Sequence, residues 1–338
     1  MPSIPGVPTA VLLAPDSFKG TFRAAEIAAA LAVGIVEAGA QVDLCPVADG
    51  GEGTLEALLD PLGARLERAT VSDPLGREID APFGIVEPRR GVPTTAIVEV
   101  AAASGLGLVA PEDRDAVAAS TYGTGQLVLA AREAGAEVVY IGVGGSATTD
   151  GGAGAVRAIR EGGGLDGTRL IVLSDVRTPF EEAARVFGPQ KGADPATVRR
   201  LTSRLHALAR TLDRDPRGLP MTGAAGGLSG GLWAAFGAEL VPGAGFVLDA
   251  LRFDVRMRAA RAVVTGEGKL DQQSLAGKVV SEVATRARQA GVPCFAVCGR
   301  RELDDFGARI LDLEAVLEAG TVPELERAGR GLARLMWE

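Results

Sequence analysis

Seven acidic residues stand where predicted strands end and loops begin. They are Asp16, Asp49, Glu52, Asp150, Asp175, Glu267 and Asp271. In open parallel sheets, ligands bind beyond the carboxyl ends of the strands, so carboxylates there are placed to meet a ligand or a metal ion. For any one of them, a turn or a helix N-cap is the alternative interpretation. Repetition of the arrangement favours a chemical role for the set, of the kind that phosphoryl transfer needs.

Lysine is scarce, and its positions are informative. Only four of the 35 basic residues are lysines, and each of the four has a glycine beside it: Lys19, Lys191, Lys269 and Lys278. A preference for arginine in the coding sequence explains the scarcity but not these positions. A compact ammonium group in a glycine-flanked loop suits a phosphate or carboxylate ligand. We therefore expect at least two of the lysines to be exposed functional cations. Replacing Lys191 or Lys278 should lower kcat/KM at little cost in stability.

Histidine and cysteine restrict the chemistry further. The single histidine, His206, falls in a helical pattern over residues 196–213 and is expected to be on the surface or partly packed. Cys45, Cys294 and Cys298 lack metal-site spacing and are expected to be buried thiols in a reducing compartment. Ser-His-Asp, Cys-His and histidine-rich zinc sites are therefore nearly excluded. Any metal ion is expected to be Mg²⁺ or Mn²⁺, bound by oxygen ligands.

Composition and charge bound the class of protein. A chain of 338 residues with 47% hydrophobic residues is long enough for two cores. The formal net charge of −8 argues against nucleic-acid and anionic-membrane partners. The first residues show no basic segment followed by an apolar one, so a cytoplasmic protein is expected.

Strand and helix patterns alternate at both ends of the chain. Strands are predicted over 9–14, 42–47, 262–265 and 294–297, and helices lie between them, including one closed by Pro61 and one over 277–290. The middle predicts strands over 94–100, 138–143 and 170–173 and helices over 196–213, 228–236 and 244–251. These patterns predict two α/β domains. Residues 1–70 with 255–338 would form a Rossmann-like parallel sheet domain, and 71–254 an inserted second domain.

Glycine-rich turns offer backbone amides to phosphates, but the generic motifs are absent or weak. The chain holds 46 glycines without a fixed period, and no G-x-x-x-x-G-K-S/T segment occurs. Residues 142–147 match G-x-G-x-x-A after a strand. However, Gly162–Gly164 interrupts the chain where a second Rossmann strand should end in its acidic residue. A nicotinamide-dependent dehydrogenase is therefore a weak alternative.

Several of these loops together resemble the bacterial glycerate kinase family. The matching segments are Ala14-Pro15-Asp16-Ser17-Phe18-Lys19, then 47–54, 101–106, 144–154, 174–176, 187–193, 223–227 and 265–274, followed by Gly277-Lys278. They run in the family's order over most of the chain. The resemblance implies transfer of a phosphoryl group from ATP to D-glycerate, a magnesium requirement, and an active site in the cleft between two α/β domains. It also implies the 2-hydroxyl as acceptor, giving 2-phosphoglycerate.

Roles for individual residues follow as hypotheses from the resemblance. Asp49 is the first choice for the carboxylate that orients or deprotonates the hydroxyl, with Lys19, Asp175 and Lys191 as further catalytic residues. Asp150 and Asp175 are the expected Mg²⁺ ligands. Substrate or nucleotide contacts are expected from Asp16, Ser17, Gly50, Gly51, Glu52, Ser104, Gly144, Gly145, Ser146, Gly151, Gly226, Gly227, Glu267, Asp271 and Lys278.

Two other functions stay open at this point. One is a kinase for another small hydroxy acid, and the other is an inactive family member that binds a metabolite. A homodimer is also open.

Overall fold

The computed structural model describes residues 10–89 and 91–337, and these form two compact units. Unit 1 comprises Met1–Asp49 and Ala244–Glu338, and unit 2 comprises Gly50–Gly243. The chain therefore leaves unit 1 at residue 49 and returns to it at residue 244. The divisions expected from the sequence, after residues 70 and 254, lie later in the chain.

The elements alternate in the way the sequence patterns predict. The strands are β1 (Ala10–Pro15), β2 (Gln41–Leu44), β3 (Arg65–Ser72), β4 (Glu78–Val86), β5 (Thr95–Glu99), β6 (Val138–Gly142), β7 (Arg169–Leu173), β8 (Glu239–Val241), β9 (Ala262–Leu270), β10 (Cys294–Arg301) and β11 (Leu313–Glu318). The helices are α1 (Ala24–Glu37), α2 (Thr54–Leu62), α3 (Val100–Ser104), α4 (Tyr122–Glu133), α5 (Ala153–Glu161), α6 (Ala183–Phe187), α7 (Pro195–Ala209), α8 (Ala224–Phe236), α9 (Gly243–Ala250), α10 (Phe253–Arg258), α11 (Val279–Ala290), α12 (Asp305–Ile310) and α13 (Val322–Trp337).

Unit 1 contains a five-stranded sheet in the order β11-β10-β9-β1-β2, and every neighbouring pair is parallel. Residues 11–15 of β1 are fully buried, as expected of a strand covered on both faces. Helices α1 and α13 pack together through Gly34, where a Cβ atom would lie 1.9 Å from the Glu326 carbonyl oxygen. Their apolar faces, with Leu31 and Leu332, complete the core on one side of this sheet.

Unit 2 contains a six-stranded sheet in the order β3-β4-β5-β6-β7-β8. The β3–β4 and β4–β5 pairs are antiparallel, and the remaining pairs are parallel. Val98, Ile141 and Val172 bring the three central strands into one core with Leu127 of α4 and Leu228 of α8. The α/β class, with two mainly parallel sheets, is thus confirmed.

The carboxyl ends of β9 and β10 differ from the prediction. β9 was expected to end at Thr265 but continues to Leu270, and β10 continues to Arg301 beside it. Glu267 pairs with Cys298, and Lys269 pairs with Arg300. The prediction was wrong because glycines and charges in 266–269 are typical of loops, whereas backbone pairing does not depend on the side chain. Lys269 therefore lies in a strand rather than a loop.

The strand predicted from Thr9 begins at Ala10, and Thr9 itself lies outside the described residues. His206 is partly buried on α7, as expected.

The three cysteines are free and buried, and burial raises the pKa of each thiol, so none is suited to act as a nucleophile. Within the described ranges, no helix combines the length and the apolar character needed to cross a bilayer.

Candidate functional site

A cavity of about 390 Å³ opens at the carboxyl edge of the unit 1 sheet. Its wall carries three carboxylate side chains and three lysines, together with backbone from Gly268, Gly299 and Gly320. The charged residues are Asp16, Asp49, Glu267, Lys19, Lys269 and Lys278. Five of these six charged residues, all except Lys269, were expected in the site from the sequence. The structure thus brings together loops that lie more than 200 residues apart in the chain.

Strand pairing explains why these residues meet. β1 and β9 are parallel neighbours, with Pro15 aligned with Gly266, so Asp16 and Glu267 emerge side by side at one edge. The Asp16 amide donates to the Gly266 carbonyl oxygen at 2.8 Å and continues this pairing. The chain after β2 also returns to β1, because the Val47 amide donates to the Pro15 carbonyl oxygen at 3.0 Å. Asp49 follows two residues later and so reaches the same edge.

Opposite charges are unevenly paired in this cavity. Lys19 Nζ lies 2.9 Å from Asp49 Oδ2, whereas Lys278 Nζ lies 3.6 Å from Glu267 Oε2. Burial, and then the charge of Asp49, raise the pKa of the Asp16 carboxyl well above its ordinary value. Burial also raises the pKa of Glu267, and its Oε1 atom has no hydrogen-bond partner. The negative charges of Asp16 and Glu267 are therefore not fully compensated by positive charge or hydrogen bonds at the cavity wall.

Asp271 has a different role in the structure. Its carboxylate accepts a hydrogen bond from the Gln273 amide at 2.8 Å, and its own amide donates to Ser274 Oγ at 3.0 Å. These bonds cap the short 3₁₀ turn that follows β9. The expected contact of Asp271 with substrate stays a prediction.

In unit 2, Asp150 lies between the glycine-rich turn after β6 and the start of α5. Its buried carboxylate accepts hydrogen bonds from the amides of Gly152 at 3.0 Å and Gly154 at 3.1 Å. It also accepts from the Thr121 amide at 2.9 Å and the Thr121 hydroxyl at 2.8 Å. Four donors leave this carboxylate well satisfied within the protein. Thr121 was not identified from the sequence, since nothing near it resembles a site.

Lys191 is buried, so the expectation of an exposed loop cation is wrong for this residue. Its ammonium group donates to Ser146 Oγ at 2.9 Å and to the Thr148 carbonyl oxygen. The short turn of residues 189–191 places the side chain against the loop after β6 rather than in solvent. Burial lowers the pKa of Lys191 to about 7, although the charge of Asp150 opposes this shift. Lys191 therefore joins the turn of residues 189–191 to the loop after β6, through Ser146 and Thr148.

The pH dependence of stability tests this burial. The folded-state pKa of Lys191 is about 7, whereas its ordinary value is 10.5. Between pH 7 and pH 10.5, the unfolded chain therefore binds a proton at Lys191 that the folded chain does not. The free energy of unfolding should therefore rise with pH in this window, by up to about 1.4 kcal/mol per pH unit. We expect Lys191→Met to lose this rise in urea titrations at pH 7, 8 and 9. Lys269→Met, at a half-exposed position, serves as the control and should keep it.

Three predicted binding glycines are buried where backbone segments cross. Gly151, Gly226 and Gly227 all have positive φ, and the Gly151 amide donates to the Gly226 carbonyl oxygen at 3.0 Å. A Cβ atom at Gly226 would lie 2.0 Å from the Thr148 carbonyl oxygen. Residues 225–227 interrupt the first turn of α8, so its regular part begins at Leu228, as the sequence predicts. The observed role of these glycines is close packing, and binding through their amides stays a prediction.

The loop after Asp49 packs against the loop after β6. The Val143 amide donates to the Gly50 carbonyl oxygen at 3.0 Å. A Cβ atom at Gly144 would lie 2.7 Å from Gly51 Cα, so only glycine allows this approach. Glu52 is exposed beside Gly145. This part of unit 2 thus holds Gly50, Gly51, Glu52, Gly144 and Gly145 together.

Ser104 and Asp175 also make internal contacts. Ser104 is fully buried, and its hydroxyl lies 2.7 Å from Thr124 Oγ1. Asp175 is partly exposed after β7 and accepts a hydrogen bond from the Gly243 amide at 2.9 Å. Of these two residues, Asp175 retains surface with which to meet a ligand. Ser17, the remaining predicted contact, lines the unit 1 cavity beside Asp16.

The fold and the unit 1 cavity define an α/β protein whose strand-end loops gather carboxylates and lysines, as enzymes acting on phosphorylated substrates do. A family model described as the glycerate kinase family matches residues 11–162 and 163–328. The chain belongs to this family, which confirms the resemblance. It is accordingly a kinase that transfers a phosphoryl group to an alcohol.

Individual relatives agree with the family. A protein named glycerate kinase from Halalkalibacterium halodurans is 39% identical over 373 residues, covering 96% of this chain and 97% of the relative. One named glycerate 2-kinase from Escherichia coli is 38% identical over 334 residues, with coverage of 88% and 86%. A crystal structure from Salmonella typhimurium, assigned as glycerate kinase 2, aligns with a TM-score of 0.78 at 34% identity. That alignment covers 98% of each chain.

Proposed function

We propose that this protein phosphorylates D-glycerate with ATP at the 2-hydroxyl, giving 2-phosphoglycerate and ADP. The observation that carries the proposal is the unit 1 cavity, in which three carboxylates and three lysines meet in a member of the glycerate kinase family. The name glycerate 2-kinase of the Escherichia coli relative supports the position of the acceptor hydroxyl. ATP is a cytoplasmic metabolite, which agrees with the location expected from the sequence.

Asp49 is the proposed acceptor of the hydroxyl proton. As the glycerate oxygen forms its bond to the γ-phosphorus of ATP, the bond to the bridging oxygen of ADP breaks. The proton of the hydroxyl passes to the Asp49 carboxylate. The 2.9 Å contact with Lys19 orients this carboxylate at the cavity wall. Lys278 is the proposed partner of the glycerate carboxylate or of a phosphate oxygen, since its ion pair with Glu267 is long at 3.6 Å.

The residues of unit 1 fit a magnesium ion. No group of three acidic, histidine or cysteine side chains in the described part of the chain forms a ready-made metal site. Mg²⁺ in kinases needs only one or two protein carboxylates, because substrate phosphates and water complete its shell. Asp16 and the unpartnered Glu267 Oε1 would supply them, and Asp150 and Asp175 stay as the predicted ligands in unit 2. Bound Mg²⁺ would neutralise phosphate charge during transfer.

Lys278→Ala is expected to lower kcat/KM by about tenfold or more, equivalent to roughly 1.4 kcal/mol of transition-state stabilisation. The side chain lines the cavity and is about one-third exposed, so its loss should change the free energy of unfolding little. Arg288→Ala is the matched control and should leave kcat/KM unchanged, since Arg288 is an exposed cation near the end of α11, the helix that Lys278 precedes. Equal kinetics for Lys278→Ala and the control would contradict this role for Lys278.

The proposed function is tested by measuring ADP release with D-glycerate, L-glycerate, glycolate and lactate as acceptors, with Mg²⁺ and after chelation. We expect turnover with D-glycerate above the other acids, loss on chelation, and recovery with Mg²⁺ or Mn²⁺. The position of the phosphate is read from the ³¹P and proton spectra of the product. Preference for another hydroxy acid would assign a different kinase. Binding of D-glycerate without ADP release would indicate an inactive member.

A further inference from the structure

Glu99, the last residue of β5, lies at the N-terminus of α2. Its Oε1 atom accepts a hydrogen bond from the Leu55 amide at 2.7 Å. The residue that precedes α2 is Gly53, in the left-handed conformation, and it has no side chain with which to cap the helix. A helix start leaves amides without partners, and a carboxylate is the strongest acceptor for them. Glu99, from β5, therefore supplies the cap that the sequence around the start of α2 lacks.

The capped turn continues directly from the loop of residues 50–53. That loop includes Gly50 and Gly51, which lack side chains to restrict the backbone. Its start is fixed where the Val143 amide donates to the Gly50 carbonyl oxygen, and Gly51 packs on Gly144. The hydrogen bond from Leu55 to Glu99 fixes its other end. Without this second point, the loop would be restrained from one side only.

An ionised carboxylate is a costly choice for this position. Burial raises the pKa of Glu99 to about 7, against the hydrogen bonds from Leu55 and Gly53, and the charges of Glu52 and Glu56 raise it further. A neutral amide side chain could accept the same bond without that cost. Attraction to the amide end of α2 is the interaction that only the ionised form makes fully.

We infer that Glu99 is a positioning residue, whose carboxylate holds the start of α2 and so keeps the Gly50–Gly53 loop in the conformation that binds substrate. The inference rests on the proposed function, and on the expectation from the sequence that Gly50, Gly51 and Glu52 contact substrate or nucleotide. Glu99 itself touches neither. It acts through the backbone of residues 53–55.

Glu99→Gln keeps the shape of the side chain and removes the charge, and Glu99→Asp keeps the charge but shortens the reach. We expect Glu99→Gln to lower kcat/KM about tenfold at pH 8.5 through displacement of the loop. The ratio to wild type should fall towards one at pH 5.5, where wild-type Glu99 is protonated. The free energy of unfolding of Glu99→Gln should equal or exceed that of the wild-type protein. Glu137→Gln, an exposed carboxylate of unit 2, is the matched control and should follow wild type at every pH.

Hydrogen exchange of the amides of residues 51–56 provides a readout that does not depend on turnover. We expect faster exchange in Glu99→Gln at pH 8.5 and no change in Glu137→Gln. Unchanged exchange and unchanged kcat/KM in Glu99→Gln would overturn the inference, as would a loss that is the same at every pH and accompanied by lower stability. If the wild-type protein does not phosphorylate glycerate, the proposed function fails, and the exchange measurement still decides whether Glu99 positions the loop.

Discussion

Replacing Asp49 with asparagine is expected to lower kcat by about 10²–10⁴-fold, the usual contribution of a positioned general base. Asparagine keeps the size of the side chain but cannot accept the hydroxyl proton. Asp49 lines the unit 1 cavity with 18% of its side chain exposed, which is enough for contact with a substrate. The free energy of unfolding should change by less than about 1 kcal/mol, since its partner Lys19 is largely exposed. Steady-state kinetics at saturating ATP and glycerate measure the effect.

Asp43→Asn is the control for this substitution. Asp43 lies on β2, six residues before Asp49. Its carboxylate forms an ion pair with Arg256 at a distance of 2.6 Å, and it does not line the cavity. Its replacement should leave kcat unchanged even if stability falls slightly. Retention of more than a tenth of wild-type kcat in Asp49→Asn would contradict the assignment and make Asp16 the next carboxylate to test.

Gly226→Ala is expected to destabilise unit 2 by at least about 3 kcal/mol, through left-handed backbone strain and a steric clash together. The added Cβ would lie 2.0 Å from the Thr148 carbonyl oxygen, an atom that also accepts a hydrogen bond from Lys191. The neighbour is backbone, so it cannot move aside as the end of a flexible side chain could. Relief of the clash must displace the loop after β6, and kcat/KM should fall with stability.

Gly218→Ala separates the effect of backbone strain from that of the steric clash. Gly218 has a φ of +70°, close to the +66° of Gly226, but nothing lies within 4 Å of the position its Cβ would take. This variant should lose only roughly 1–2 kcal/mol, the cost of the backbone conformation alone. Chemical denaturation of both variants measures the difference. Equal losses would mean that the approach of Gly226 to Thr148 is not a structural constraint.

The fold class was predictable because both units are built from local patterns. Apolar runs mark buried parallel strands such as β1, and helical spacing in α1 and α11 shows which face is covered. The extension of β9 was missed because it depends on pairing with β10, a contact about 30 residues away in the chain. Burial of Lys191 was missed for a similar reason, since its partners lie in another loop. Residue types indicate chemistry, but only the fold decides exposure.

The acidic residues show the same limit of sequence reasoning. Their positions at strand ends were predicted. However, the carboxylates of Asp150 and Asp271 accept hydrogen bonds as caps, which was the alternative interpretation given for any single one of these residues. Glu99 was passed over because it stands inside a predicted strand, where a charge reads as a surface position. A carboxylate near the end of an otherwise apolar strand was the available signal. Its use as a cap depends on α2, which begins 45 residues earlier in the chain.

The close approach of Gly50 to Gly243 has a consequence for how such a chain could arise. A Cβ atom at Gly50 would lie 2.6 Å from Gly243 Cα, so residues 50–243 begin and finish at nearly the same point. A segment with adjacent ends can be gained or lost by a host protein without stretching the host's own chain. A short peptide joining residues 49 and 244 would make unit 1 a continuous polypeptide. The geometry is that of a segment inserted at a single loop of unit 1.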